Sequence, residues 1–175
     1  MAFTITDNRL GLPGITSITS VASSGLLNTT GVPVGTIVRA NDPTYGGGEF
    51  VYLPGVASNT VGSLVYWNQS SNTVTLSPTT GHTARPVAVS MAANTSTTAL
   101  SWYQIEGVVP IKKTAVKISP DVAVFISATA GRIKAVASAG LQILGARSNN
   151  AATVASATST VLVLIERPHL QGQIT

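Results

Sequence analysis

Residues 62–78 read GSLVYWNQSSNTVTLSP, and residues 120–136 read PDVAVFISATAGRIKAV. At a spacing of 59, Tyr66 falls on Phe125, Val74 on Ile133 and, further along, Trp102 on Val161. Each stretch is a pair of short apolar, β-branched runs around a small polar loop (Asn68–Asn72 in one, Ser127–Gly131 in the other), which is the pattern of a β-hairpin. Both continue in the same order, RPVAVSMA (85–92) then ALSWYQI (99–105) in the first, LQILGARS (141–148) then STVLVLI (159–165) in the second. The middle run aligns at 57, with Ala88 on Gly145, so two residues are lost between the copies and later restored. The reading is a duplicated three-strand unit, about residues 62–112 and 120–170, with no catalytic group between the strands.

Working outward, strand signals extend upstream to TIVRA (36–40) and EFVYL (49–53), with a Gly-rich turn expected at Gly46–Gly48 because glycine takes positive φ without steric cost. Pro86 is expected at a strand start, where its missing N–H is tolerated. No window of eleven residues shows a 3.6-residue apolar period, so helix content is expected to be low. The small-residue stretch 151–158 reads as a loop with room for one helical turn. Twelve or so short strands at regular spacing predict an all-β fold, a β-sandwich or barrel built from the duplicated unit. Residues 1–35 differ. They carry scattered apolar side chains without period and read as an extended N-terminal arm on a single domain spanning 36–175. Phe3, Ile5, Leu10, Leu12, Ile15 and Ile18 are too apolar for a solvated tail, and an arm that cannot bury them on its own body can bury them on a neighbour.

Composition agrees with a structural role. Only 9% of the 175 residues are charged, against about 25% in ordinary domains. Val, Ala, Ile and Leu fill the apolar positions, and Ser and Thr the polar ones. A surface so poor in charge lacks solvation and repulsion, which suits a body packed against copies of itself or a partner. The net charge of +4 is dispersed, and Lys112, Lys113 and Lys117, the one close group, read as a solvated strand edge guarded against stray pairing. A nucleic-acid binder would cluster its charge and interleave it with aromatics. With no Cys there is no disulfide, thiolate metal site or Cys nucleophile, which fits synthesis in a reducing cytoplasm. No signal peptide is expected, and the longest apolar stretch, Val161–Ile165, is far short of a membrane span. The sequons at Asn28, Asn68 and Asn94 are without meaning off a secretory route.

Catalytic patterns are missing. His82 and His169 stand alone in their regions, where a metal site wants several converging ligands. The G-x-S-x-G elbow is absent, and GGG at 46–48 lacks the Lys-Ser/Thr of a phosphate loop. Asp42 with Glu49, or Glu106 with Glu166, are the carboxylate pairs a hydrolase would use. The second pair follows equivalent strands of the two units, and a strand-end salt bridge to Arg167 or Lys112 is the preferred role. Trp67, Trp102, Tyr66 and Tyr103 offer a sugar or base platform, but adjacent strand residues point to opposite faces, so one of each pair is expected in the core. No catalytic residue, cofactor or metal is therefore expected, and the chain is read as a non-enzyme.

The runs GEFVYLPGVASNTVGSLVYWN (48–68), ALSWYQIEGVVPIKK (99–113), SATAGRI (127–133), AGLQILGAR (139–147) and ERPHLQGQ (166–173) resemble tailed-bacteriophage capsid decoration, or cement, proteins. The resemblance spans roughly residues 35–173, and its phrases W-x-x-I/V-x-G-V-x-P and A-G-x-I fall at Trp102–Pro110 and Ala130–Ile133 as fold determinants. It implies an all-β virion protein on the outer capsid surface, partnered by the major capsid protein and by itself as a homotrimer, with no nucleic acid, membrane or small-molecule substrate. Docking is then expected through Phe3, Ile5, Leu10 and Leu12, with Arg9 as a charge contact. The alternative reading is a carbohydrate- or receptor-binding module of a virion fibre or spike.

Overall fold

A computed structural model describes residues 3–7, 11–20, 31–77 and 83–172 of the chain. Among them lie twelve strands and no helix: β1 (Thr4–Ile5), β2 (Thr19–Ser20), β3 (Ile37–Asp42), β4 (Gly46–Pro54), β5 (Leu64–Trp67), β6 (Val74–Leu76), β7 (Val87–Ser90), β8 (Ala99–Lys112), β9 (Ala123–Ile126), β10 (Ile133–Lys134), β11 (Gln142–Ser148) and β12 (Thr160–Leu170). All twelve join one antiparallel sheet. The stretch 151–158 forms no helical turn.

The 14-residue β8 is the spine. Leu100 pairs with both Pro54 and Thr19, Gln104 with both Phe50 and Val89, and Glu106 with both Glu49 and Glu166. A strand has two edges, so β4 lies along one edge of β8 while β2, β7 and β12 follow each other along the opposite one. From there β7 leads to β5 and β6, and β12 leads to β11, β9 and β10. The second branch returns to its origin through a parallel bridge between Ile133 and Lys113, the residue after β8. It is therefore a ring of strands, β8–β12–β11–β9–β10.

The strands are buried on alternating faces because each side chain points opposite to the last. On β4, Phe50 and Tyr52 enter the large core, while Val51 and Leu53 enter a second, smaller one with Val65, Trp67, Ala88, Tyr103 and Ile105. On β8 the face turned to the large core switches from Leu100 and Trp102 to Val109 and Ile111. The switch needs one extra residue, and the ladder supplies it: Phe50 opposes Gln104 but Glu49 opposes Glu106, leaving Ile105 as a β-bulge.

The β5–β8 and β9–β12 segments share a pairing order, first strand to second, first to third, third to fourth. Tyr66↔Thr75 and Trp67↔Val74 stand 59 residues before Phe125↔Lys134 and Ile126↔Ile133. The hairpin turns also match: Asn68 and Ser127 donate their backbone N–H to Thr73 and Arg132, and their side-chain oxygens accept from Ser70 and Thr129. The segments have four strands, not three, and the middle strand does not keep the spacing of 57. Val89↔Gln104 and Ser148↔Val163 are 59 apart, whereas Tyr66↔Val87 and Phe125↔Gln142 differ by 55 in their second partners, the difference being absorbed at a bulge beside Gly145. Leu64 opposes Val89 but Ala123 opposes Arg147, one residue short of that register. A one-residue slip exchanges faces, and Val124 and Ile126 accordingly join the large core where Val65 and Trp67 belong to the small one.

The described part of residues 1–35 lies on its own body and does not stand off as an arm. β1 pairs with β3, and β2 with β8. Phe3 meets Phe50 edge-on at 4.9 Å between ring centroids, and Ile15 is buried. The Trp102 indole N–H donates to the Pro13 carbonyl at 2.9 Å. The physical reason is that β3 and the start of β8 leave edges unpaired and the large core uncovered, and this segment supplies both the pairing and the cover.

Candidate functional site

The Gly-rich stretch is not a turn. Pro43, Thr44 and Tyr45 turn the chain, with Asp42 Oδ1 accepting from the N–H groups of Thr44 and Tyr45 at 2.7 and 3.0 Å. Gly46–Gly48 instead open β4, where space is the constraint. A Cβ on Gly48 would lie 2.8 Å from the Glu106 carbonyl oxygen, and one on Gly107 2.4 Å from that of Gly47. Asp42 thus caps the turn.

This close packing of β4 on β8 brings one charged row together. Arg39 on β3 opposes Glu49 on β4, which opposes Glu106 on β8, which opposes Glu166 on β12. The Glu49 carboxylate is buried, and both oxygens are taken: Arg39 donates to Oε1 at 3.0–3.1 Å, and Arg167 to Oε2 at 2.6–3.2 Å. Arg167 adopts φ +45°, an uncommon backbone for a non-glycine residue, and its Nε also lies 3.9 Å from Glu106. Burial raises the Glu49 pKa, but hydrogen bonds and charge from Arg167 and Arg39 outweigh it, so the carboxyl ends below its ordinary value. The same contact with Glu49 raises Arg167. Glu106 and Glu166 are exposed and face each other across the ladder. The ion pair expected between this pair of carboxylates and Arg167 forms at Glu106. A general acid needs a raised pKa and a free oxygen; Glu49 has neither.

A second polar cluster sits inside the protein. Asn59, Ser90, Tyr103 and Asn94 are buried, and Asn59 Nδ2 lies within reach of Ser90 Oγ at 2.8 Å and of the Tyr103 hydroxyl and the Asn94 carbonyl at 3.2 Å. Tyr103 donates to the Pro54 carbonyl at 3.0 Å, and burial pushes its pKa up to about 12. These bonds tie the loops at 55–63 and 91–98 to β8. Sequence patterns gave no sign of the cluster, since its members come from three separate segments.

Lys113 departs from expectation. It is 1% exposed, not on a solvated edge, and its Nζ donates to the carbonyls of Val116 at 2.8 Å, Ser156 at 3.2 Å and Thr114 at 3.3 Å. No carboxylate pairs with it among the described residues. Burial lowers its pKa. Lys117 is exposed, and Lys112 bonds the Thr60 hydroxyl.

Of the four platform aromatics, Trp102 and Tyr103 are buried because β8 is covered on both faces, and Trp67 on β5 is buried in the smaller core. Tyr66 is half-buried beneath Arg85, whose guanidinium lies 5.2 Å from the ring centroid. His169 is exposed and opposes Leu144, while His82 lies outside the described residues. No group of three or more metal-ligating side chains occurs among the described residues, and no helix among them is long and apolar enough to cross a membrane. Phe3, Ile5 and Leu12 from the expected docking set are half-buried against their own core, and Arg9 and Leu10 lie outside the described residues. Comparison of the chain with protein-family models, curated proteins and solved structures finds no match in any of the three.

Proposed function

We propose that the chain is a structural virion protein, a decoration protein that binds the outer surface of an icosahedral phage capsid and reinforces it. The observation that carries this reading is the commitment of its buried ionisable groups to architecture. Glu49 is clamped by two arginines, Asp42 caps a turn, and Lys113 holds three backbone carbonyls. Such a body offers rigidity and surface. A charge content of 9% and a Ser/Thr-rich exterior suit life among copies, with the major capsid protein and a homotrimer as the partners the resemblance implies.

Reinforcement follows from mass action. A protein that binds the assembled shell and not its parts stabilises the shell by about 2.7 kcal/mol per site at a hundredfold excess over Kd. The test is co-sedimentation of the purified chain with expanded capsids lacking it. Saturation at a fixed ratio to the capsid protein is expected; no binding at micromolar concentration would sink the reading. Docking through Phe3, Ile5, Arg9, Leu10 and Leu12 is tested by deleting residues 1–14, with loss of binding expected. Because Phe3 packs on Phe50, the deletion is compared with the full chain at a temperature where both are folded.

A further inference from the structure

The outer face of the ring is apolar where β8 and β12 run side by side. Val109, Ile111, Val161 and Val163 point into the large core, so Val108, Pro110, Leu162 and Leu164 between them point outwards. They stand opposite each other in pairs, Val108↔Leu164 and Pro110↔Leu162, with Glu106↔Glu166 at one end and Lys112↔Thr160 at the other. We propose that this face is a contact between two copies of the chain, packed face to face about a two-fold axis that sets Lys112 of each copy against Glu106 and Glu166 of the other.

An antiparallel sheet with one face on a core ordinarily turns polar side chains to water on the other. Here four adjacent positions are apolar and half-buried. Val61, 47% exposed, adjoins them through Gly62, whose carbonyl accepts the Lys112 N–H at 2.9 Å. Contiguous apolar surface with a polar rim marks a contact site, and the charges at its ends select the occupant. Glu106 and Glu166 are like charges directly opposite one another, an unfavourable pairing. Among the described residues Arg167 comes no nearer than 3.9 Å to Glu106 while bonding Glu49, and Glu166 has no ion pair. Lys112, about 20 Å along the strand, has no carboxylate partner among them and bonds the Thr60 hydroxyl. Arg147, beside Leu164, is neutralised by Asp121. A face with surplus carboxylate at one end and an ammonium at the other is its own complement under a two-fold rotation. An extended peptide would need an open strand edge. Here β12 is paired with β11, and β8 is bonded by Gly62 and, at the Glu106 and Val108 carbonyls, by the Gln104 amide. The hollow beside Leu164 holds about 140 Å³, below the roughly 300–1,000 Å³ that encloses a small molecule. The inference stands on this face and is independent of the virion reading.

The test is sedimentation equilibrium of the full chain, without capsids, between about 1 and 300 μM. Wild type is expected to reach at least twice the mass of Leu162→Asp and of Lys112→Glu, each of which should weaken association at least about tenfold. A mixing experiment ties the effect to this face. Lys112→Glu and the double variant Glu106→Lys/Glu166→Lys should each fail to self-associate yet associate with one another, because their ends then carry opposite signs. All these side chains point out from the sheet, and unchanged far-ultraviolet circular dichroism would verify that the variants fold. Wild type at the mass of the variants throughout, variants that keep a wild-type mass above that of the single chain, or a mixture that stays apart would each overturn the proposal.

Discussion

Glu49 shows how much of the molecule one buried charge can organise. Its two oxygens receive guanidiniums from β3 and β12, so a single carboxylate ties three strands across β8. Both arginines are more than half exposed, which screens the pairs and limits their worth. Glu49→Gln is expected to cost about 1–2 kcal/mol at neutral pH, the range for charge-assisted bonds after screening. The sign of the pH dependence follows from the depressed pKa. The carboxylate contributes stability above its unfolded value near 4.5 and loses it as pH falls through the lower folded value. Urea midpoints of wild type and Glu49→Gln should therefore converge in acid; a gap that stays constant would mean that shape, and not charge, holds the site. Part of this was readable from sequence. The hairpin of TIVRA with EFVYL was legible, but its turn was expected at Gly46–Gly48, and only the observed turn at Pro43–Tyr45 places Arg39 opposite Glu49. Arg167 was expected only at Glu106 or Glu166; its contact with Glu49 was beyond reach, because it arrives from 118 positions away through a residue at positive φ.

At the scale of elements, alternation of apolar and polar residues was enough to locate the main strands, since each must bury one face. It failed where a strand buries both. Trp102 and Tyr103 are neighbours and both inside, because β8 carries one core on each face. The bulge that lets β8 change faces is equally hidden, as Ile105–Glu106–Gly107 reads like any strand interruption. Gly107 makes the bulge possible: its φ is +101°, and an added Cβ would sit 2.4 Å from the Gly47 carbonyl oxygen. Gly46 also has positive φ but open space around it. The two substitutions to Ala separate strain from collision. Gly46→Ala should cost about 1–2 kcal/mol, the ordinary penalty for a left-handed non-glycine residue. Gly107→Ala should cost about 3 kcal/mol or more, because β4 must also move away from β8. Denaturation of the two variants checks this, and equal midpoints would show that the contact with Gly47 relaxes freely.

For the molecule as a whole, the consequential junction is the one where the second branch returns to β8. The closing bridge joins Lys113 to Ile133, and the Lys113 side chain then draws in two loops that are otherwise linked by the Ile118↔Val154 bridge. An ammonium here replaces water for three carbonyls, and nothing in the repeat pattern announces it, since the acceptors come from positions 114, 116 and 156. Two opposing effects meet at this residue. Orphaned carbonyls cost about 1–3 kcal/mol, while removing a buried cation relieves desolvation. The carbonyls converge on one atom and lose their donor together, so Lys113→Met is expected to destabilise by about 1–3 kcal/mol, with faster amide exchange at Ile118 and Val154 than in wild type. The pH dependence distinguishes this from a simple packing defect. Burial lowers the folded pKa below the unfolded 10.5, so between those values the unfolded chain binds the extra proton and wild-type stability rises with pH. Lys113→Met lacks that proton. The stability gap between wild type and Lys113→Met should widen on the alkaline side as pH approaches 10.5, and a gap that narrows there would mean that the ammonium, and not the amine, is the form this closure favours.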